Sequence, residues 1–148
     1  MSNALINKLF KTDAGFAALA LRVPVGIVLA AHGSQKLFGW FGGYGLEGTG
    51  QWMASIGLEP GYLMALLAGS AEFFGGLALV LGLLTRPAAL VTAFTMLIAI
   101  FSAHIANGLF LTNNGYEYAL SLLAVTVALA IQGGGALSVD SAVARKLQ

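Results

Sequence analysis

The stretch YLMALLAGSAEFFGGLALVLGLL (residues 62–84) decides the fold class, because it is apolar throughout apart from Glu72 near its middle. A helix needs about 20 apolar residues to cross the hydrocarbon core of a bilayer, and this stretch reaches that length. Similar stretches occupy residues 16–38, 88–106 and 116–132. The sequence therefore predicts an all-α integral membrane protein, a four-helix bundle that forms one domain over residues 1–148.

The composition supports lipid as the solvent. Of the 148 residues, 58% are hydrophobic and 9% are charged, and the mean hydropathy is +0.86. Soluble domains carry about 25% charged residues. The formal net charge of +1 provides no basic field for nucleic acid. The lack of cysteine excludes disulfides, thiol nucleophiles and cysteine-ligated metal centres.

The distribution of positive charge predicts the topology. Arg22 lies inside the first apolar stretch, so we interpret this stretch as a retained helix and not as a cleaved signal peptide. The remaining Lys and Arg residues, Lys36 apart, flank the same ends of the predicted helices: Lys8, Lys11, Arg86, Arg145 and Lys146. By the positive-inside rule, both termini are expected in the cytoplasm.

A glycine- and aromatic-rich connection, GWFGGYGLEGTGQW (residues 39–52), joins the first two predicted helices. It lacks the Gly-Lys-Ser/Thr ending of a phosphate-binding loop and follows no strand. We therefore expect an interfacial, re-entrant connection. The overlapping stretch GTGQWMASIG (residues 48–57) is expected to form a short helix lying flat, with Trp52, Met53 and Ile56 dipping into lipid.

Ionisable groups inside the apolar stretches require partners, because a charge near the bilayer centre costs about 2.5–3.5 kcal/mol on insertion scales. Such groups default to a functional role in membrane proteins. The candidate ligand-binding residues are Arg22, His32, Gln35, Lys36, Glu72, His104, Asn107 and Glu117.

Helical spacing predicts that these groups converge. At about 100° per residue, Arg22, His32 and Lys36 fall within an arc of about 80° on the first helix. Small residues flank Glu72 at three- and four-residue spacing, which permits close helix approach and predicts that Glu72 faces protein. We expect an outward-opening polar pocket. The predicted ion pairs are Arg22 with Glu72, and Glu117 with Lys36 or His104.

Two other interpretations of these residues stay open. Polar side chains between membrane helices also serve as structural ties. His32 and His104 could hold haem, or could form an iron site with Glu72 or Glu117, but this needs further oriented ligands, and we predict no metal site. No nucleophile elbow is present, so hydrolase chemistry has little support.

Four segments together resemble the DoxX family of small bacterial membrane proteins. They are LRVPVGIVLAAHGSQKLFGWFGGYG (residues 21–45), GSAEFFGGLALVLGLLTRPAAL (69–90), AHIANG (103–108) and NGYEYAL (114–120). The resemblance implies a four-helix protein of the bacterial inner membrane. It also implies links to membrane oxidoreductase complexes and to oxidative or electrophile stress, since relatives include DoxD, a subunit of a thiosulfate:quinone oxidoreductase. It identifies no catalytic residue.

Two functional hypotheses follow. In the first, the chain belongs to quinone-linked redox or detoxification chemistry: Arg22, Lys36, His32 or His104 would bind a quinone oxygen or a sulfur anion. Glu72 and Glu117 would then relay protons or balance charge, with electrons supplied by a bound partner, a substrate or a cofactor. In the second, the chain is a non-enzymatic scaffold or small-ligand carrier that docks an oxidoreductase. Self-association through small residues is compatible with both.

Overall fold

The structure, a computed structural model, describes residues 9–12 and 14–146. Lys8, which contributes to the topology prediction, lies outside these residues. The described residues form helices and connections and contain no strand. The prediction of an all-α protein is therefore confirmed.

The described residues include six α-helices from Phe16 onward, joined by short connections. They are α1 (Phe16–Phe38), α2 (Gly45–Ser55), α3 (Gly61–Leu81), α4 (Thr85–Ala99), α5 (Glu117–Gln132) and α6 (Val139–Lys146). Helix α4 continues through a π-helical turn at Ile100–His104 and a 3-10 turn at Ile105–Asn107. Further 3-10 turns occupy Trp40–Gly42 and Leu111–Asn113.

In the part of the chain that the structure describes, three helical segments are long and apolar enough to cross a membrane: Phe16–Phe38, Gly61–Leu81 and Thr85–Asn107. The fourth apolar helix, α5, has 16 residues and is about 24 Å long at 1.5 Å per residue. Large hydrophobic side chains point outward from these helices, for example Phe74 at 61% exposure and Phe94 at 63%. These outward faces suit lipid contact, and the four-helix membrane bundle stays a prediction.

Glycine sets where α3 ends. Gly82 adopts a left-handed conformation with φ 65°, and its N–H donates to Leu79 O at 3.1 Å. A left-handed residue after the last turn closes a helix by satisfying its carbonyls. Helix α3 therefore stops before the predicted limit at residue 84, and α4 begins at Thr85 with Pro87 in its first turn, where proline is tolerated.

Helices α1 and α3 form the most extensive packing contact in the fold. Gly26 and Gly76 face each other across it. A methyl group on Gly26 would lie 2.6 Å from Gly76 O, and one on Gly76 would lie 2.5 Å from Ala30 N. Small residues at a helix interface permit this close approach in lipid, so the two backbones are nearly in contact.

The substitution Gly76→Ala is expected to lower the free energy of unfolding by about 1–3 kcal/mol, because overpacking forces backbone shifts. Chemical denaturation of the detergent-solubilised protein measures this loss. Gly15→Ala is the matched control, since a methyl group there meets no atom within 4 Å. Equal stabilities of the two variants would contradict the close contact.

Helix α2 packs on the start of α3 and does not lie detached in lipid. Its residue Met53 is buried at 5% exposure, so the prediction that Met53 dips into lipid is wrong. The cause is the pairing of Gly50 with Gly61 and Tyr62: a methyl group on Gly50 would lie 2.9 Å from Tyr62 Cα. This approach turns one face of α2 into the protein.

Candidate functional site

An ion pair joins α1 to α3. Lys36 Nζ donates to Glu72 Oε2 at 2.6 Å, and the side chains are 22% and 4% exposed. The helices approach closely beside this pair, since a methyl group on Gly33 would lie 2.7 Å from Gly69 O. The prediction that Glu72 faces protein is confirmed, and Lys36 is its partner.

A cleft of about 480 Å³ lies beside this ion pair. Its lining residues come from the end of α1, the following glycine-rich turn and α2: Gln35, Lys36, Gly42, Gly43, Tyr44, Gly48, Thr49 and Trp52. A lysine ammonium has three N–H donors, and the bond to Glu72 uses one of them. Two donors are therefore left for a ligand in the cleft.

The glycine-rich turn folds back on α1 and forms one wall of the cleft. Gly39 ends α1 in a left-handed conformation with φ 72°. Gly43 then packs against Gln35, where a methyl group would lie 2.5 Å from Gln35 Cα. The Gln35 amide nitrogen donates to Phe41 O at 3.3 Å. Gln35 thus holds the turn as well as lining the cleft.

Two aromatic side chains line the cleft. Trp52 is 47% exposed and Tyr44 is 83% exposed, and both line it. Phe38 supports the turn. Its ring centroid lies 4.9 Å from that of Trp40 and 5.3 Å from that of Phe73. A flat ring can pack against such side chains while a polar substituent reaches the ammonium.

Arg22 lies at the other end of α1, and its predicted pairing with Glu72 is wrong. Arg22 is 1% exposed, and among the described residues its guanidinium donates only to backbone carbonyls. The four bonds run to Leu79 O (3.1 Å), Val80 O (2.5 Å), Gly134 O (3.0 Å) and Leu137 O (2.7 Å). The last carbonyl groups of a helix have no hydrogen-bond donor within the helix. The Arg22 guanidinium provides N–H donors to those of α3. We call this end of the helices the Arg22 end.

Asp140 completes the Arg22 end, although no pattern in the sequence predicts it as a site residue. Its carboxylate accepts from Leu84 N at 2.7 Å and Thr85 N at 2.8 Å, and the residue is 1% exposed. Asp is a favoured partner for the first N–H groups of a helix, here those of α4. Arg86 donates to Ala130 O at 3.0 Å and also to Ile131 O, near the end of α5.

His104, Asn107 and Glu117 hold the connection between α4 and α5 and do not line the cleft. His104 Nδ1 lies 2.9 Å from Asn114 O, and Asn107 Nδ2 donates to the same oxygen at 3.2 Å. Glu117 Oε1 accepts from Leu111 N at 2.6 Å. The predicted ion pair of Glu117 with Lys36 or His104 is wrong. The His104 and Glu117 side chains instead form hydrogen bonds with backbone groups of the connection.

His32 is exposed on the surface of α1. Its Nδ1 lies 2.9 Å from Val28 O, and its ring centroid is 5.9 Å from that of Tyr118 on α5. Of the eight predicted residues, the structure thus brings together Gln35, Lys36 and Glu72. The described part of the chain contains no group of three or more His, Asp or Glu residues placed to hold a metal ion.

Residues 17–105 match the model of the DoxX family. The chain belongs to the DoxX family. It is 33% identical over 135 residues to "Putative oxidoreductase CatD" of Bacillus subtilis, covering 91% of this chain and 90% of that protein. It is 37% identical over 131 residues to "Inner membrane protein YqjF" of Escherichia coli, covering 82% of this chain and 95% of that protein. No solved structure matches the chain significantly. The matched segment of this DoxX protein contains the cleft, Glu72 and Arg22 but not Asp140.

Proposed function

We propose that this DoxX protein is a membrane component of quinone-linked redox or electrophile-stress detoxification, and that the cleft beside Lys36 binds a quinone. The observation that carries the proposal is the Lys36 ammonium in an aromatic-lined cleft, held at 2.6 Å by a buried Glu72 carboxylate. The oxidoreductase name carried by one relative supports a redox association.

The cleft has the size and chemistry for one quinone ring. Ligand pockets commonly enclose about 300–1,000 Å³, and this cleft encloses about 480 Å³. One ring oxygen would accept a hydrogen bond from Lys36, while the ring packs against Trp52 and Tyr44. Glu72 balances the charge of the ammonium and keeps it in place whether or not a ligand is bound.

Reduction of a quinone to a quinol takes up two electrons and two protons. In this proposal, both electrons come from a bound oxidoreductase partner. Lys36 delivers one proton to the ring oxygen that it contacts, and water at the open mouth of the cleft delivers the other and reprotonates Lys36. Glu72 stabilises the ammonium form between turnovers. The residues of this chain thus bind the ring and supply a proton, and the partner performs the electron transfer.

The proposal includes a topology of four membrane crossings in one domain, with both termini in the bacterial cytoplasm. The residues just before α1 lie against the end of α5: Thr12 Oγ1 donates to Gln132 O at 2.9 Å, and Gly135 N donates to Thr12 Oγ1 at 3.0 Å. An even number of crossings accounts for this meeting. The relative named as an inner membrane protein supports the location.

Titration of the purified protein with a short-tailed quinone tests the function, with Trp52 fluorescence as the readout. The double variant Lys36→Gln/Glu72→Gln keeps the pair neutral and is expected to bind the quinone about tenfold more weakly or worse, because a hydrogen bond to a charged group contributes about 1.5–3 kcal/mol. Lys11→Gln is the control, since Lys11 is exposed and distant from the cleft lining.

Equal quinone affinity in the wild type and the double variant would contradict the assignment of Lys36. Wild-type membranes should also reduce the quinone when an electron-donating partner is supplied. Binding without any reduction would favour the alternative, a non-enzymatic ligand binder or scaffold for an oxidoreductase.

A further inference from the structure

The segment Gly133–Lys146, which contains α6, is fixed to the ends of three membrane helices. Arg22 of α1 donates to Leu137 O at 2.7 Å, and Asp140 N donates to Gly82 O after α3 at 2.9 Å. The Asp140 carboxylate accepts from the first N–H groups of α4. In the proposed topology of four crossings, these bonds to helix ends place the segment at the level where hydrocarbon gives way to lipid headgroups.

The segment presents apolar side chains outward at this level. Leu137 is 73% exposed and Val139 is 39% exposed. Leu84, in the neighbouring turn, is 41% exposed. Leu137 and Leu84 have left-handed backbones, with φ 56° and 47°, a conformation that is unfavourable for L-residues other than glycine. The bonds from Arg22 and Asp140 to their backbones maintain this conformation.

The segment also presents positive charge. Arg145 and Lys146 end α6, and both are exposed. Asp140 is the one acidic residue of Gly133–Lys146, and its carboxylate is already bonded to two backbone N–H groups. The accessible surface of α6 is therefore cationic beside its apolar residues, as in helices that lie at the surface of anionic membranes.

We propose that Gly133–Lys146 is a binding site for an anionic phospholipid. Arg145 and Lys146 bind the headgroup phosphate. Leu137, together with Leu84 from the neighbouring turn, contacts the part of the acyl chains next to the headgroup. Charge complementarity and continuity with the lipid-facing surface of the helices identify lipid as the occupant. The Arg22 and Asp140 bonds fix Leu137 and the start of α6 to the helix ends. They thereby fix the position of the cationic end of α6 relative to its apolar start. This site is independent of the cleft and of the quinone proposal.

Native mass spectrometry of the full chain, titrated with phosphatidylglycerol or with phosphatidylcholine of the same acyl chains, tests the site. The wild type is expected to bind phosphatidylglycerol more tightly. Arg145→Gln/Lys146→Gln should weaken phosphatidylglycerol binding about 25-fold, or fivefold per cation, which corresponds to about 1 kcal/mol for each cation near the surface. The charge-retaining variant Arg145→Lys/Lys146→Arg is the matched control and should bind as the wild type does.

A second variant separates lipid binding from folding. Leu137→Asn removes the apolar side chain but leaves the carbonyl that bonds to Arg22, and asparagine tolerates the left-handed conformation better than leucine. This variant should fold and bind both lipids more weakly. The proposal is overturned if the wild type shows no preference for phosphatidylglycerol, or if the Arg145→Gln/Lys146→Gln variant retains that preference.

Discussion

Replacement of Arg22 by Met is expected to lower the free energy of unfolding by about 3–5 kcal/mol, the usual cost of removing one member of a buried charged network. The methionine fills part of the space but donates no hydrogen bond. The carbonyls of Val80, Gly134 and Leu137 would lose their donor, and Leu79 O would keep the N–H of Gly82. Asp140 would lose the buried cation nearby. Denaturant titration of the protein in detergent micelles measures the effect.

Arg22→Lys distinguishes the shape of the guanidinium from its charge. Lysine keeps the positive charge but lacks the planar fork that reaches several acceptors at once, so most of the loss should remain. Arg145→Lys is the control, because Arg145 is exposed and has no comparable set of bonds. A fully stable Arg22→Lys variant would show that the four-carbonyl arrangement is not what stabilises this end.

The substitution Lys36→Met should cost about 3 kcal/mol or more, since it leaves the Glu72 carboxylate buried without a counter-ion. Glu72 is 3% exposed, so water cannot replace the lost partner. Adding Glu72→Leu should restore most of the stability, because replacing both members of a buried ion pair by apolar groups is often neutral. Unfolding measurements on the wild type, both single variants and the double variant complete this cycle.

The cycle predicts a coupling energy of about 1–3 kcal/mol between residues in contact. Additive losses from the two single variants would contradict a direct Lys36–Glu72 interaction. Quinone binding should be lost in the Lys36→Met/Glu72→Leu variant even where its stability recovers. This combination separates the role of the pair in folding from its role in the cleft.

The helices and the environment of Glu72 could be predicted from the sequence, because both depend on local patterns. Apolar runs of bilayer length place α1 and α3 within a few residues of their observed limits. The glycines spaced three and four residues from Glu72 mark the face of α3 that approaches α1. Such signals need no knowledge of distant partners.

The partners of the polar residues could not be predicted in the same way, because most of them are backbone groups. Pairing opposite charges between the predicted helices gives an Arg22–Glu72 ion pair. Arg22 instead donates to backbone carbonyls at helix ends. These carbonyls have no signature in the sequence. Asp140 caps a helix that begins 55 positions earlier in the chain, so local capping patterns do not reveal it. The sequence likewise predicts a side-chain partner for Glu117, but Glu117 and His104 instead bond to backbone groups of the connection between α4 and α5.

The bonding of Arg22 also has a consequence for biosynthesis. Arg22 and Leu137 are separated by 115 residues, and a ribosome delivers the chain in order from the N-terminus. The first helix must therefore enter the translocon with its guanidinium incompletely bonded, because two of the four acceptors, on Gly134 and Leu137, lie 112 and 115 positions later in the chain. A chain that ends at residue 132 should consequently be more accessible to proteases than the 148-residue chain, because it lacks both of these acceptors.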